Sequence, residues 1–393
     1  MSTLNFISWL IWLPVALTGA YLLVFSLLGL KARAFPPEGS LEEPLPRIAV
    51  LVPAYKEDAV ILETAERLLE IAYPADRWDL IIIGDHLQTP TIFQLKQMPL
   101  RLVSLKLSES TKAKALNAAL EEIETEYELA MVLDADNLVQ PQVLHEFAAA
   151  YQAGARVIQA RRVAKNQNSP MAMLDAISEE VNNHIFCHGH RVVGLSSRLI
   201  GSGMAFEFAL FKRFMAQNHA VGGFDKELEL TLMQAGEVIE YLPETYVYDE
   251  KVSKTAHFKR QRLRWISAQY HYLGRFFRPA IQALWSGQRL SFVDKTFQLL
   301  LLPRLVLIGL AALGTLASLL LGGSLGFAWV LALALVVLAY ALATPKRFYR
   351  KQTLQALLLL PKAFLQLIWE LRGLRTANKK FIHTPHGEEK ASG

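Results

Sequence analysis

Two aspartates two positions apart, Asp134 and Asp136, follow the apolar run Met131-Val132-Leu133. If that run is a strand, its alternation brings both carboxylates to one side of the chain where it ends. Adjacent carboxylates repel unless a cation lies between them. A pair of hard oxygen donors suits Mg²⁺ or Mn²⁺, with water and the oxygens of a substrate diphosphate completing the shell. A solvated acidic turn has the same local sequence, so the decision rests on what else the chain brings to that place. Tyr55 and Glu57 follow the apolar stretch that ends at Pro53, and Asp85 follows Leu80-Ile81-Ile82-Ile83. Lys112 opens one helical pattern, and Asp225 and Glu227 open another, where a carboxylate could accept a proton from a reacting hydroxyl.

The elements that must hold these residues are legible as a repeating pattern. Arg47–Pro53, Leu80–Ile83, Leu100–Leu105, Glu128–Leu133 and Val157–Ala160 read as strands, apolar throughout rather than alternating. Helical stretches lie between them at Ala59–Ile71 and Lys112–Glu124. Continuously apolar strands separated by helices predict an α/β fold of Rossmann type, a mostly parallel sheet covered on both faces. Ligands of such sheets lie at the carboxyl ends of the strands. Tyr55, Glu57, Asp85 and Asp134 all sit at those ends. Further on, Met171–Phe186, Lys226–Ala235 and the basic, aromatic His257–Phe277 read as helices, and Ile200–Phe206 as a glycine-bearing strand or turn.

The 393-residue chain is 52% apolar with a net charge of +5, and the apolar excess lies at its two ends. Phe6–Leu30 is long enough to cross a bilayer, and Lys31 and Arg33 after it place the following domain in the cytoplasm. A signal peptide fits less well, because the apolar run is long and lacks a basic leader. Leu299–Leu321 and Leu325–Ala343 read as two more spans. Thr353–Leu371, broken by Pro361 and Lys362, reads as an interfacial segment. The expected organisation is a membrane helix (1–33), a cytoplasmic domain (34–255), interfacial helices (256–296), two spans (297–344) and a cytoplasmic or interfacial tail (345–393). Basic residues beside apolar segments favour a lipid bilayer over nucleic acid as the anionic partner. The single cysteine, Cys187, excludes an internal disulfide framework. His184, Cys187, His188 and His190 lack the spacing of a metal site and are expected to line a channel instead.

Taken together, the motifs resemble those of membrane-embedded family 2 glycosyltransferases, the group of cellulose and hyaluronan synthases, and the chain is similar in size to ceramide glucosyltransferases. The resemblance covers Arg47 to Trp265. It implies a GT-A-like domain between transmembrane and interfacial helices. Pro53-Ala54-Tyr55-Lys56-Glu57 resembles the nucleotide-binding opening, with Lys56 where the family usually has Asn. Asp85 matches the carboxylate that accepts the uracil N–H, and Lys112 with Ala115-Leu116-Asn117 matches a block beside the sugar diphosphate. Asp134 and Asp136 match the metal-binding Asp-x-Asp, and Gly201-Ser202-Gly203 the block before the acceptor pocket. Gln261, Arg264 and Trp265 match Gln-x-x-Arg-Trp, placed at the diphosphate and acceptor. Phe381–Pro385 resembles the loop that covers the nucleotide.

The acidic pair that usually supplies the base is altered. Asp225 keeps the family's spacing to Gly236, Phe224 stands in place of the usual Glu, and Glu227 is the alternative base. The resemblance implies an inverting transfer from a UDP-sugar to a polysaccharide or lipid acceptor at the cytoplasmic face of a bacterial inner membrane, with Mg²⁺ or Mn²⁺. A homo-oligomer or a secretion partner would serve a polymer product. The altered pair leaves a second reading, a catalytically inactive sugar-nucleotide-binding scaffold subunit of a secretion complex.

Overall fold

The computed structural model describes residues 3–37, 41–124, 126–220, 222–251, 255–321, 326–361 and 364–365. Eight strands form one sheet: β1 (Ile48–Tyr55), β2 (Trp78–Asp85), β3 (Arg101–Leu105), β4 (Leu129–Val132), β5 (Leu138–Val139), β6 (Val157–Ala164), β7 (Met204–Glu207) and β8 (Ile239–Asp249). Their order is β3-β2-β1-β4-β7-β6-β8-β5. The run β3-β2-β1-β4 is parallel, as its continuously apolar strands predict. β7 enters antiparallel between β4 and β6.

Both faces of the parallel half are buried, and strand alternation divides them. Ala49, Leu51, Ile81, Ile83 and Val132 pack with helices Lys112–Glu122 and Phe224–Ala235 and with Tyr272 and Phe276 of helix Thr255–Trp285. Ile48, Val50, Val52, Ile82 and Met131 pack on the other side with helices Ile61–Leu68 and Val143–Gln152. A one-residue slip of any strand would exchange these two sets, so the register is tightly specified.

β8 escapes a reading by pattern because Pro243 interrupts it. Its pairing with β6 jumps from Ala160↔Leu242 to Arg161↔Tyr246, so Pro243, Glu244 and Thr245 bulge out of the ladder. Proline has no N–H to give a ladder, and a bulge is where a strand tolerates it. Beyond the bulge β8 ends at Asp249 beside the carboxyl end of β4.

A separate apolar cluster joins helices Thr3–Leu28, Arg304–Leu321 and Gly326–Ala343. Phe6–Leu28 and Gly326–Ala343 are 23 and 18 residues long and apolar enough to cross a membrane, while Arg304–Leu320 is shorter. The span read from Leu299 becomes helical only at Arg304, because Pro303 precedes it and favours a helix start. Trp12 donates to the Ala328 carbonyl at 2.9 Å, and Ser26 to the Ala339 carbonyl at 2.9 Å, which ties the first helix to the last. Phe6, Leu10, Leu13, Leu17, Leu316 and Leu338 point outward and uncovered. The interfacial reading of Thr353–Leu371 has a helix at Lys351–Leu357, and the part after residue 365, with Phe381–Pro385, lies outside the described residues.

Candidate active site

The carboxyl ends of β1, β2 and β4 open on a cavity of about 1210 Å³. Pro53, Tyr55, Glu57, Asp85, Lys112, Asp134, Asp136, Gly201 and Asp225 all line it, although 172 positions separate the first from the last. Lys56 and His86, just after β1 and β2, both adopt left-handed backbone, at φ 55° and 57°. Asparagine takes that conformation readily and lysine does not. The Lys56 N–H donates to the Asp85 carbonyl at 3.1 Å, one of the contacts that holds the turn in place.

Asp85 is buried, and its Oδ1 accepts from the Leu107 N–H at 3.1 Å and lies 2.7 Å from His86 Nδ1. Among the described residues its Oδ2 has no hydrogen-bond partner, which is costly for a buried carboxylate oxygen and leaves an acceptor for a ligand.

Asp134 and Asp136 come together for a reason other than strand alternation. β4 ends at Val132, and the two aspartates lie on a turn pinned by Asn137, whose Oδ1 accepts from the Asp134 N–H at 3.1 Å. Asp136 is buried and accepts from the Glu250 N–H at 2.9 Å. Asp134 is more open and is paired with Lys112, whose Nζ also donates to the Gly201 carbonyl at 2.7 Å. Two carboxylates with this access fit a hard divalent ion that draws its remaining ligands from a diphosphate and water. No larger group of three or more His, Cys, Asp or Glu side chains is placed to hold a metal among the described residues.

Of the glycine block, Gly201 lines the cavity, while Ser202 is buried behind it. Gly201 has φ 87°, a left-handed backbone that favours glycine, and it lies beside Asp225, where an added Cβ would make ordinary contact at 3.6 Å from Oδ2. Gly203 serves packing: with φ 63°, its Cβ would meet Val247 at 2.9 Å.

Asp225 lies in the first turn of helix Phe224–Ala235, whose cap is not Asp225 but Gly223, in left-handed conformation. Glu227 is not brought to the cavity. It is buried against helix Thr255–Trp285, ion-paired with Arg275 and within 3.4 Å of the Tyr272 hydroxyl. Gln261, Arg264 and Trp265 fall in the first turns of that helix, as their spacing predicts, but their side chains lie outside the described residues.

The histidines do not line the channel. Helix Pro170–Asn182 continues as a π-helix, Asn183–Gly189, that clasps the end of the first apolar helix. His184 Nε2 meets the Ser26 carbonyl and His188 Nε2 the Lys31 carbonyl, each at 2.8 Å, and the His190 ring stacks on Phe25. The carbonyls at a helix end lack partners of their own, and these rings supply them.

Sequence reasoning missed two cationic groups on the cavity wall. Arg162 and Lys251 share Glu179 and Asp249: Arg162 Nη2 and Lys251 Nζ each lie 3.0 Å from Glu179 Oε2, and Lys251 Nζ lies 2.8 Å from Asp249 Oδ2. Burial alone would raise the Glu179 pKa, but Arg162 and Lys251 hold it down at about 2. Buried Lys295 and half-buried Arg198 and Lys226 form another group around the buried Glu229. The same cavity has apolar lining too, from Leu302, Leu305 and Ile308 of the shorter apolar helix and its approach and from Leu174, Ile177 and Leu354.

Residues 46–268, more than half the chain, match the glycosyltransferase-like family 2, and the protein belongs to that family. Among curated proteins it is similar to the probable glycosyltransferase YdaM of Bacillus subtilis, 23% identical over 255 residues (60% of this chain and 59% of that protein). It is also similar to the beta-monoglucosyldiacylglycerol synthase of Synechocystis, 27% identical over 294 residues (68% of this chain and 58% of that protein). The matched part thus spans about three-fifths of each relative. Among solved structures, the mannosyltransferase PcManGT from Pyrobaculum calidifontis, in complex with GDP-Man and Mn²⁺, superposes with a TM-score of 0.58 at 19% identity, covering 92% of this chain and 99% of that one. That likeness places the fold among GT-A glycosyltransferases.

Proposed function

We propose that this protein is an inverting glycosyltransferase of the cytoplasmic membrane face that moves a sugar from a UDP-sugar to the hydroxyl of a membrane lipid. The observation that carries this reading is the continuity of the cavity, from Asp85 past Asp134 and Asp225 to the wall of Leu302, Leu305 and Ile308. A nucleotide sugar needs the polar end, and an acyl or prenyl chain fits the apolar end. The uncovered leucines on the outward faces of the apolar helices favour a bilayer around them. The name of the Synechocystis relative, a glucosyldiacylglycerol synthase, points the same way.

In this reading Asp85 Oδ2 accepts the uracil N3–H, and Pro53, Tyr55 and Glu57 shape the nucleotide end. Asp134 and Asp136 hold a divalent ion whose charge offsets that of the departing diphosphate. Lys112, between Asp134 and Gly201, adds positive charge on the same side. The Asp225 carboxylate takes the proton of the acceptor hydroxyl as its oxygen bonds to the anomeric carbon, while the bond from that carbon to the diphosphate breaks and UDP leaves. The resemblance gives Gln261, Arg264 and Trp265 to the diphosphate and acceptor.

The test is UDP release by the purified protein in lipid nanodiscs with a panel of UDP-sugars and Mn²⁺ or Mg²⁺. Release from one donor that stops with EDTA, and that Asp225→Asn lowers about a hundred- to ten-thousandfold without weakening UDP binding, is the expected result. Unchanged release in Asp225→Asn would remove it as the base. UDP binding with no transfer from any donor, lipid extract included, would favour the inactive scaffold reading.

A further inference from the structure

Resting on that reading, we infer that the lipid acceptor carries an anionic group, a phosphate or carboxylate, held by Lys295, Lys226 and Arg198. All three line the cavity, and they share one buried carboxylate, Glu229. Lys295 has a side chain only 1% exposed, and among the described residues its Nζ has no hydrogen-bond partner and its nearest opposite charge is Glu229 Oε1 at 3.5 Å. Glu229 is already engaged, because Lys226 pairs with its other oxygen and the Leu199 N–H donates to Oε1 at 3.1 Å. Arg198 adds a third positive charge, and its Nε also lacks a partner.

Among the described residues the neighbouring acids Asp225 and Asp294 make no ion pair with Lys226 or Lys295, and act on them only at longer range. Asp294, next to Lys295, is held by Tyr21 at 2.8 Å, by Gln298 at 2.7 Å and by His190 at 3.2 Å. Asp225, next to Lys226, lies against Gly201. Burial pushes the Lys226 pKa down, against the pull of Glu229 and, more weakly, Asp225, and Arg198 and Lys295 add to the lowering. An ammonium buried without a full counter-charge is costly, and an arriving anion would remove that cost.

The location favours the acceptor over the donor. Lys112 is paired with Asp134, where the donor diphosphate would lie, whereas Lys226 and Lys295 gather at Glu229. From Lys295 the wall continues through Gln298 and Leu299 into the apolar segment at Leu302. A lipid lying in that segment would present a charged headgroup to the cluster and its hydroxyl to Asp225.

The experiment measures lipid retention by native mass spectrometry of the full-length protein in detergent, offered phosphatidylglycerol and diacylglycerol with matched chains. Retention of phosphatidylglycerol at least tenfold above diacylglycerol, lowered tenfold in both Lys295→Met and Arg198→Gln but kept in Asp225→Asn, is the expected result. UDP should bind equally to all four proteins and should not displace the lipid. Equal retention of the two lipids would overturn the inference, as would a preference that survives both cation substitutions. Displacement by UDP would assign the cluster to the donor diphosphate, and displacement by millimolar inorganic phosphate without lipid preference would leave a general anion site; either overturns it. Because retention needs no turnover, its outcome stands apart from that of the transfer assay.

Discussion

Two buried ionic clusters face the same cavity, and they differ in balance. Around Glu179 and Asp249, two cations meet two carboxylates, and Arg162 and Lys251 each have a hydrogen-bonded partner. Around Glu229, three cations share one carboxylate, Asp225 and Asp294 act on Lys226 and Lys295 only at longer range, and Lys295 Nζ has no hydrogen bond among the described residues. Charges removed from water need both opposite charge and hydrogen bonds to compensate them. The balanced cluster is complete within the chain and ties β6, β8 and helix Pro170–Asn182 together below the Asp134–Asp136 turn. The other is complete only with a negative charge from outside. The difference separates a group that shapes the site from a group that awaits a ligand.

Substitutions sharpen that contrast. Glu179→Gln leaves Arg162 and Lys251 buried beside Asp249 alone, and it should cost about 3–5 kcal/mol of stability, read as a lowered unfolding midpoint in detergent. Lys251→Met strips Asp249 of its closest cation and should cost about 2 kcal/mol or more by the same measurement. Lys295→Met removes a charge that has no full partner, and it should change stability by less than about 1 kcal/mol, in either direction. Equal losses for the two Lys→Met changes would break the comparison.

Acid gives a smaller and more gradual effect. The Glu179 pKa lies near 2 in the folded chain against an ordinary 4.5, so its stabilising contribution is complete above about pH 4.5 and is lost as pH falls toward 2. Unfolding curves from pH 6 down to pH 3 should show this loss in the wild type and much less of it in Glu179→Gln.

Much of the donor half was readable along the chain. A parallel strand buried on both faces has to be apolar at every position, so β1, β2 and β4 announce themselves, and the residues just after them mark the site. Tyr55, Glu57, Asp85, Asp134 and Asp136 therefore meet where the strand pattern puts them. The strands that carry no such pattern were missed: β5 has two residues, and β8 has a proline that a bulge absorbs. Local reading also misjudged the histidines, since nothing in their spacing tells that His184 and His188 face carbonyls 158 and 157 positions away.

By itself, then, the sequence determined the α/β domain, the apolar helices at both ends and the acidic turn after β4, because periodicity and burial are properties of neighbouring residues. The tertiary structure decided which charges find partners. It set Lys112 on Asp134, turned Glu227 away to Arg275, completed Lys251 with Glu179, and left Lys295 facing a carboxylate already taken. Those pairings join positions from 22 to 72 residues apart, and the energy of a charge depends on what surrounds it in space rather than on its neighbours in the chain.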